Sequence, residues 1–308
     1  MSGRGRSRRP KSRGDRADSR RVVHSFSKVS KHCSAMSSSN EAPAAVAAAA
    51  VIEDDEAKPK FKWPPLESNP DVFTSYLHGI GLPSTFQVGE VFGFDEDLLA
   101  FIPQPVLGTV VCFERLKPKA EFNMLDNGSA DNYDRVNFYM HQSGTLDNAC
   151  GIVACLHAMF NSPLVSVDED SVLGRFQRRC VGQTPAERCK ELENDDDFKR
   201  AHRSNAAKGQ SRSIDGDQSK VRHHFIAYVM DKEGKQLVEL DGTKVSLRLC
   251  VSASSSTLTR IIENIQAGPV MVGECSDVLR GSIQAIRGKL ERGEISESLS
   301  MMTLGLAD

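Results

Sequence analysis

The pattern of apolar and polar residues predicts ordered structure from about residue 61 onward. Asn69-Pro70-Asp71 is a helix-start signal, and Gly81 is a stop. Between them the apolar residues fall on one helical face: Val72, Phe73, Tyr76, Leu77 and Ile80. Residues 106–113 form an unbroken Val-rich run, which is typical of a buried strand, and residues 151–160 predict a buried helix.

The remaining pattern predicts a mixture of helices and short strands. Helical segments are expected at residues 88–92, 98–102, 257–265 and 277–290. Strands are expected at residues 137–141, 224–229, 236–240 and 300–306, with a turn around 231–234. This mixed order indicates an α/β or α+β domain and not a repeat protein.

Residues 184–220 are highly charged. The first half is helical in character, with Thr184-Pro185 as N-cap and first helical residue. The second half, residues 202–220, is predicted as a long flexible loop. A structureless loop of that length inside a domain is uncommon and usually functional.

Residues 1–60 are predicted to be a disordered tail, and residues 61–308 a single domain. The tail is Arg/Ser-rich, then Ser-rich, then Ala-rich, and such segments cannot bury enough apolar area to fold. Residues 1–32 hold eleven Lys or Arg and two Asp, which gives a net charge of +9. Because the whole chain has a net charge of −2, the remaining residues carry −11. The tail fits a solvated extension, a nuclear address, a transit peptide or an RNA-binding segment.

Composition limits the remaining function classes. No apolar run reaches the roughly 20 residues of a membrane helix, so the expected location is cytoplasmic or nuclear. The eight cysteines are scattered, which favours free thiols in a reducing compartment: Cys33, Cys112, Cys150, Cys155, Cys180, Cys189, Cys250 and Cys275. Neither a paired zinc-ligand spacing nor a nucleotide-binding motif occurs, so we expect no metal and no cofactor.

A possible nucleophile lies at the start of the predicted helix. Cys150 follows Asn148, which can cap the helix, and precedes Gly151, which leaves room for a substrate carbonyl. Helix N-termini favour thiolates. His224 is a candidate base and Asp241 a candidate orienting acid, because pairing of their two strands would bring them together. The competing interpretation is a buried structural cysteine, a structural histidine and a turn aspartate.

Five separated blocks, taken in order, resemble the ubiquitin C-terminal hydrolases, which are short cysteine deubiquitinases. They cover about 61–308: WPPLESNP with GIGLPSTFQVGEVFGFDEDLLAFIPQPV, then NACG, then TPAERCKELEND and AHRSNAAKGQ, then HHFIAYV with GKQLVELDGTK, and finally MMTLGLA. The resemblance implies a papain-like α/β fold with a central antiparallel sheet flanked by helices and a knotted backbone.

The resemblance also implies roles for individual residues. Cys150 would attack the carbonyl at the ubiquitin C-terminus, His224 would act as base and then acid, and Asp241 would orient His224. Gln142, with the Cys150 amide, would stabilise the oxyanion. Substrate would be held by Trp63, Pro65, Leu66 and the crossover loop at about His202 to Lys220. That loop would restrict leaving groups to small or disordered chains.

The implied partner is ubiquitin or a ubiquitin-like modifier, bound by a monomer without membrane contact. The Arg-containing ubiquitin tail suits the acidic body and the run Asp195-Asp196-Asp197. Two departures from the family stand out. Seven residues separate Gln142 from Cys150, a longer interval than usual, and Thr243 follows Gly242 where the family usually has arginine. The alternatives are a ubiquitin-binding module without turnover and a nucleic-acid-associated scaffold that uses the basic tail.

Overall fold

The computed structural model describes residues 61–118, 121, 128–209, 222–254 and 257–307. Its first half contains α1 (Pro70–Ile80), β1 (Phe86–Glu90), α2 (Glu96–Leu99), β2 (Val106–Arg115), a 3₁₀ helix (Ala130–Arg135), α3 (Cys150–Asn161), α4 (Val172–Cys180), α5 (Pro185–Asn194) and α6 (Asp196–Ala206). Its second half contains β3 (His223–Met230), β4 (Gln236–Leu240), β5 (Val245–Ser254), β6 (Thr257–Gln266), β7 (Val270–Glu274), α7 (Val278–Glu291) and β8 (Ile295–Leu306).

Six of these strands form one antiparallel sheet in the order β1-β8-β2-β3-β4-β7. The last strand, β8, lies between β1 and β2, so the two ends of the domain are joined in the sheet. Strands β5 and β6 pair only with each other, as a separate two-stranded ladder. The predicted antiparallel sheet flanked by helices is therefore confirmed.

The sheet is covered on both faces, and β2 shows the alternation that this requires. Val110 and Cys112 join the core that contains α1 and α3, whereas Val111 and Phe113 join the core under α7. Successive side chains of a strand point to opposite faces, so an uninterrupted apolar run is the sequence of a strand buried on both sides.

The strongest sequence patterns are confirmed. α1 begins after Asn69, whose side chain accepts from the amides of Asp71 and Val72, and ends at Gly81 in the left-handed conformation (φ 116°). The predictions for α3, β3, β4 and α7 also hold within a few residues. No helix in the described part of the chain is long and apolar enough to cross a membrane.

Three helical predictions fail in part or in full. Residues 86–90 form β1, and residues 257–266 form β6. Both segments pair with another strand, β8 and β5 respectively, and this pairing overrides a weak local pattern. The helix predicted at 98–102 is α2, which begins earlier and ends at Leu99.

The strand predicted at residues 137–141 is absent, and this segment instead bonds to side chains of α3. The Asn161 side chain accepts from the amides of Asn137 (2.7 Å) and Phe138 (3.0 Å) and donates to the Phe138 carbonyl (2.7 Å). His157 accepts from the Met140 amide (3.1 Å). Two polar side chains of α3 therefore supply the partners that a neighbouring strand would otherwise supply.

The long loop predicted from residue 202 begins later than expected. α6 runs to Ala206, and His202 lies inside that helix with no exposed surface. The expectation of a flexible loop is therefore wrong for residues 202–206. Its central part falls on residues 210–221, which lie outside the described residues, as does the predicted tail at residues 1–60.

We expect Asn161→Ala to destabilise the domain by about 2–4 kcal/mol, since it leaves several buried backbone groups without partners. Chemical denaturation of the purified protein measures this free energy of unfolding. Asn194→Ala is a matched control on an exposed helix end and should change it by less than about 0.5 kcal/mol. Equal effects from the two variants would contradict the bridging role of Asn161.

Candidate active site

Cys150 is the first residue of α3 and is half-buried. The N-cap position is held by Ala149, so the prediction that Asn148 occupies it is wrong. Alanine has no side-chain acceptor for the amides of the first turn. Cys150 lies in the first turn of α3, a position at which the helix dipole favours a thiolate.

Gly151 has a packing role that the sequence did not indicate. A Cβ atom at this position would lie 3.0 Å from Cζ of Phe73 and 3.5 Å from Cδ1 of Leu66. The residue is buried, so close packing is a second reason for glycine here, and its role in the approach of a substrate carbonyl stays a prediction. The missing side chain allows Phe73 to pack against the first turn of α3.

His224 and Asp241 are brought together by the β3–β4 pairing, as expected. Ala227 pairs with Leu240 in the antiparallel register, so the chain on either side places His224 beside Asp241. Nε2 of His224 lies 2.9 Å from Oδ1 of Asp241. Both residues are 2% exposed, whereas His223 is exposed. The sequence prediction that His224 is the inward histidine of the pair is therefore confirmed.

The three side chains influence one another electrostatically. Burial alone opposes ionisation of Cys150, but its hydrogen bond with His224 and the charge of His224 outweigh this and lower the pKa of the thiol. Burial alone would lower the pKa of His224, but the charge of Asp241 and its hydrogen bond outweigh this and raise that pKa. Both shifts favour a thiolate–imidazolium pair.

Asp241 is held in its ionised form. Burial opposes its ionisation, but the charge and hydrogen bond of His224, then the charge of Lys244, hold the pKa of the Asp241 carboxyl well below its usual range. The guanidinium of Arg115, at the end of β2, adds a smaller contribution that lowers the pKa of Cys150. Sequence reasoning missed Arg115 because nothing local marks a strand-end arginine as part of a site.

Two further residues around Asp241 were also missed. The amide and hydroxyl of Thr243 donate to Oδ1 of Asp241, at 2.9 and 2.8 Å. The hydroxyl of Tyr139 is buried and donates to the carbonyls of Asp241 (2.9 Å) and Ala267 (3.2 Å). The sequence Asp241-Gly242-Thr243 indicates the bond from the Thr243 amide, because an aspartate side chain often accepts from the amide two residues further along the chain.

Gln142 is hydrogen-bonded within its own loop and to the end of β4. Its amide nitrogen Nε2 donates to the carbonyls of Leu146 (2.9 Å) and Asp147 (3.1 Å), and its backbone amide donates to the Gly242 carbonyl (2.8 Å). A side-chain amide has two donor hydrogens. Both are occupied here, so donation to an oxyanion requires Gln142 to release a loop carbonyl.

The long loop between Gln142 and Cys150 is held in place by Glu193 of α5. Oε1 of Glu193 accepts from the amide (2.8 Å) and the hydroxyl (2.6 Å) of Thr145. Gly144 has φ of 65°, and a Cβ atom there would lie 2.7 Å from the same carboxylate oxygen. The extra residues therefore form a structured turn.

The predicted substrate-contacting residues divide into two groups. Trp63 is 1% exposed and packs edge-to-face on His202 (4.8 Å between ring centroids), so direct contact of either ring with substrate is not supported. Nε2 of His202 also lies 2.7 Å from the carbonyl of Pro64. Pro65 is half-buried, and Leu66 lies against the first turn of α3, so their substrate contacts stay predictions.

The acidic run at Asp195–Asp197 does not present free carboxylates. Asp195 caps α6 by accepting from the Phe198 amide (2.9 Å) and pairs with an arginine of α4. Asp196 and Asp197 pair with Lys or Arg side chains of α6 and α4. The expectation that this run attracts an Arg-containing tail is therefore not supported, because its charges are already compensated within the domain.

In the parts of the chain that the structure describes, no three His, Cys, Asp or Glu side chains are grouped closely enough to hold a metal ion. The site itself brings together a thiol, an imidazole and a carboxylate. Such a set is the machinery of nucleophilic acyl transfer.

Comparison with known proteins agrees with this chemistry. The family model described as "Ubiquitin carboxyl-terminal hydrolase, family 1" matches residues 63–270, which is more than half of the chain and includes the whole triad. The chain belongs to the ubiquitin carboxyl-terminal hydrolases. The sequence resemblance to this family is therefore confirmed.

Relatives in animals and plants support the same family. A ubiquitin carboxyl-terminal hydrolase of Drosophila melanogaster is 38% identical over 59% of this chain and 79% of its own length. Ubiquitin carboxyl-terminal hydrolase 3 of Arabidopsis thaliana is 35% identical over 67% of this chain and 86% of its own length.

A solved structure of the Trichinella spiralis UCH37 catalytic domain bound to ubiquitin vinyl methyl ester has the same fold. It superposes with a TM-score of 0.59, at 22% identity, over 80% of this chain and 96% of that one. At this level of identity the likeness supports the fold of the hydrolase domain.

The pKa shifts predict an unusual pH dependence for alkylation of Cys150 by iodoacetamide. Since its pKa is lowered, alkylation of Cys150 should proceed at a pH below the roughly 8.5 at which an ordinary thiol ionises. Asp241→Asn removes the charge that raises the pKa of His224, so alkylation at that pH should slow. Mass spectrometry of the labelled peptide measures both rates.

Other thiols of the protein serve as internal controls. Burial raises the pKa of Cys180 to about 12 and raises the pKa values of Cys112 and Cys155 further, so these residues should remain unlabelled in the folded protein. A labelling rate at Cys150 that rises only above the pKa of an ordinary thiol would contradict the thiolate–imidazolium pair.

Proposed function

We propose that the protein is a thiol-dependent hydrolase that cleaves the peptide, isopeptide or ester bond at the C-terminal glycine of ubiquitin, and that Cys150, His224 and Asp241 perform the reaction. The observation that supports this most directly is the coupling of a lowered thiol pKa to a buried His224–Asp241 pair, inside the region matched by the family model.

The first half of the proposed reaction forms a thioester. The Cys150 thiolate attacks the glycine carbonyl carbon, and the charge that develops on the carbonyl oxygen is stabilised by the Cys150 amide and by Gln142. His224 then gives its proton to the departing amine or alcohol as the bond to carbon breaks. Asp241 keeps the imidazole in one orientation throughout.

The second half releases ubiquitin. Water attacks the thioester carbonyl while His224 accepts its proton, and the carbon–sulfur bond breaks to regenerate the Cys150 thiolate. After it has taken the proton of the Cys150 thiol, His224 thus acts as acid towards the leaving group and then as base towards water. Both proton transfers are efficient when the pKa of His224 lies near the operating pH. Although burial opposes it, the charge of Asp241 and its hydrogen bond raise the pKa of His224, which favours the protonated imidazole that transfer to the leaving group needs.

We further propose ubiquitin as the macromolecular partner. Its support is that solved structures of the same fold carry ubiquitin vinyl methyl ester, and that the relatives are named for ubiquitin hydrolysis. The proposed leaving groups are small or disordered chains. This restriction on the leaving group is what the resemblance to the family implies.

Ubiquitin bearing a C-terminal vinyl methyl ester tests this function directly. The electrophile takes the place of the scissile carbonyl, so wild-type protein should gain the mass of one ubiquitin. Cys150→Ala should gain none yet still bind unmodified ubiquitin, measured by calorimetry. Wild type that binds ubiquitin but stays unlabelled would instead support a binding module without turnover.

Gln142→Ala should lower kcat by about 10²–10³-fold with little change in KM, because an oxyanion donor acts only in the transition state. Hydrolysis of a ubiquitin C-terminal fluorogenic amide measures both constants, and thermal unfolding serves as the control for the loop. A variant with lowered stability and unchanged kcat would limit Gln142 to organising its loop.

A further inference from the structure

One oxygen of the catalytic carboxylate accepts three hydrogen bonds. Oδ1 of Asp241 lies 2.9 Å from Nε2 of His224, 2.9 Å from the Thr243 amide and 2.8 Å from the Thr243 hydroxyl. The other oxygen, Oδ2, has no hydrogen-bond partner among the described residues. The orientation of Asp241 is therefore determined at Oδ1, by His224 on one side and Thr243 on the other.

Thr243 is held in place by the turn that it completes. The bond from its amide to Asp241 closes an Asx turn, in which an aspartate side chain accepts two residues along the chain. Gly242 allows the turn to pass close to the loop of Gln142, since a Cβ atom there would lie 2.9 Å from the Met140 carbonyl and 3.0 Å from the Gln142 amide. Thr243 is 6% exposed, so water does not readily replace its hydroxyl.

The Thr243 hydroxyl also lies 3.4 Å from Nε2 of His224. It thus sits between the carboxylate and the imidazole, at the bond that sets the tautomer and orientation of His224. During catalysis His224 gains and loses a proton at its other nitrogen, which weakens and strengthens its bond to Oδ1. A second donor fixed on Oδ1 keeps the carboxylate from following these changes.

We propose that Thr243 is a positioning residue of this hydrolase, which acts on His224 through Asp241 by holding Oδ1 in place. This proposal rests on the proposed thiol hydrolysis and extends it. The sequence motifs indicated no residue that holds Asp241 in place, and the proposal assigns this role to the Thr243 hydroxyl. The competing possibility is that the hydroxyl only satisfies a buried carboxylate and contributes to stability alone.

Three variants separate these roles. Thr243→Val keeps the side-chain shape and the backbone amide but removes the hydroxyl donor, and Thr243→Ser keeps the donor. We expect Thr243→Val to lower kcat on the fluorogenic ubiquitin amide about tenfold with KM changed less than about twofold. Thr243→Ser should retain most of the wild-type kcat. Thr243→Ala carries the same test should the valine variant not fold.

The pH dependence gives a readout that a purely structural role would not move. With Oδ1 less firmly held, His224 loses part of its charged partner, so the alkaline limb of kcat/KM should shift to lower pH in Thr243→Val. Iodoacetamide alkylation of Cys150 should shift to higher pH, and this second measurement needs no ubiquitin. Thr243→Ser should shift neither curve.

A matched control is Thr109→Val. The Thr109 hydroxyl is fully buried and donates to Ser282 on α7 (2.8 Å), so its loss should lower the melting temperature without moving either pH curve. The proposal is overturned if Thr243→Val keeps wild-type kcat and pH curves, or if Thr243→Ser is as impaired as Thr243→Val. If wild type itself neither turns over nor reacts with the ubiquitin electrophile, the proposed function fails instead.

Discussion

Burial of the Asp241 charge is the constraint on which the rest of the site depends. A carboxylate whose side chain has no exposed surface is strongly disfavoured unless donors and positive charges surround it. Here His224, Thr243 and Lys244 meet that requirement. Because the carboxylate stays charged, His224 prefers its proton, and because His224 is charged, Cys150 prefers to be a thiolate. The lowered pKa of the Cys150 thiol thus depends on Asp241, which acts on it through His224.

The backbone supplies this arrangement from three separate parts of the chain. The N-terminus of α3 presents Cys150, the start of β3 presents His224, and the end of β4 presents Asp241. The Gln142 amide bonds to the Gly242 carbonyl, and Tyr139 bonds to the Asp241 carbonyl, so the segment that leads into α3 is tied to the end of β4. The nucleophile and the acid are therefore fixed relative to each other without a direct contact.

Much of this could be predicted from the sequence, for identifiable reasons. α1 has a capping residue, a proline and a glycine stop, and β2 has an apolar run that no amphipathic helix shows. The pairing of His224 with Asp241 followed from two adjacent strands and a short turn. In each case the determining information lies within a few residues along the chain.

The failures share the opposite property. β1 and β6 are strands because of partners far away in sequence or across a hairpin. Residues 137–141 form no strand because Asn161 and His157 bond to their backbone. Trp63 was placed at the substrate, but it packs on His202, 139 residues along the chain. Tyr139 and Arg115 were missed for the same reason, since their roles depend on tertiary contacts with Asp241 or Cys150. Thr243 is the exception, because its bonds to Asp241 span only two residues and the sequence Asp-Gly-Thr indicates them.

The charge of Asp241 also belongs to a longer buried series that crosses to the other side of the sheet. Lys244, which lowers the pKa of Asp241, lies 3.7 Å from Glu239, and Glu239 lies 3.2 Å from Lys289 of α7. Signs alternate along this series, so each buried charge has an opposite neighbour. Removing one member would leave another uncompensated, which costs about 3–5 kcal/mol for buried pairs. Asp241 is therefore one member of a series of buried charges that continues to Lys289 of α7.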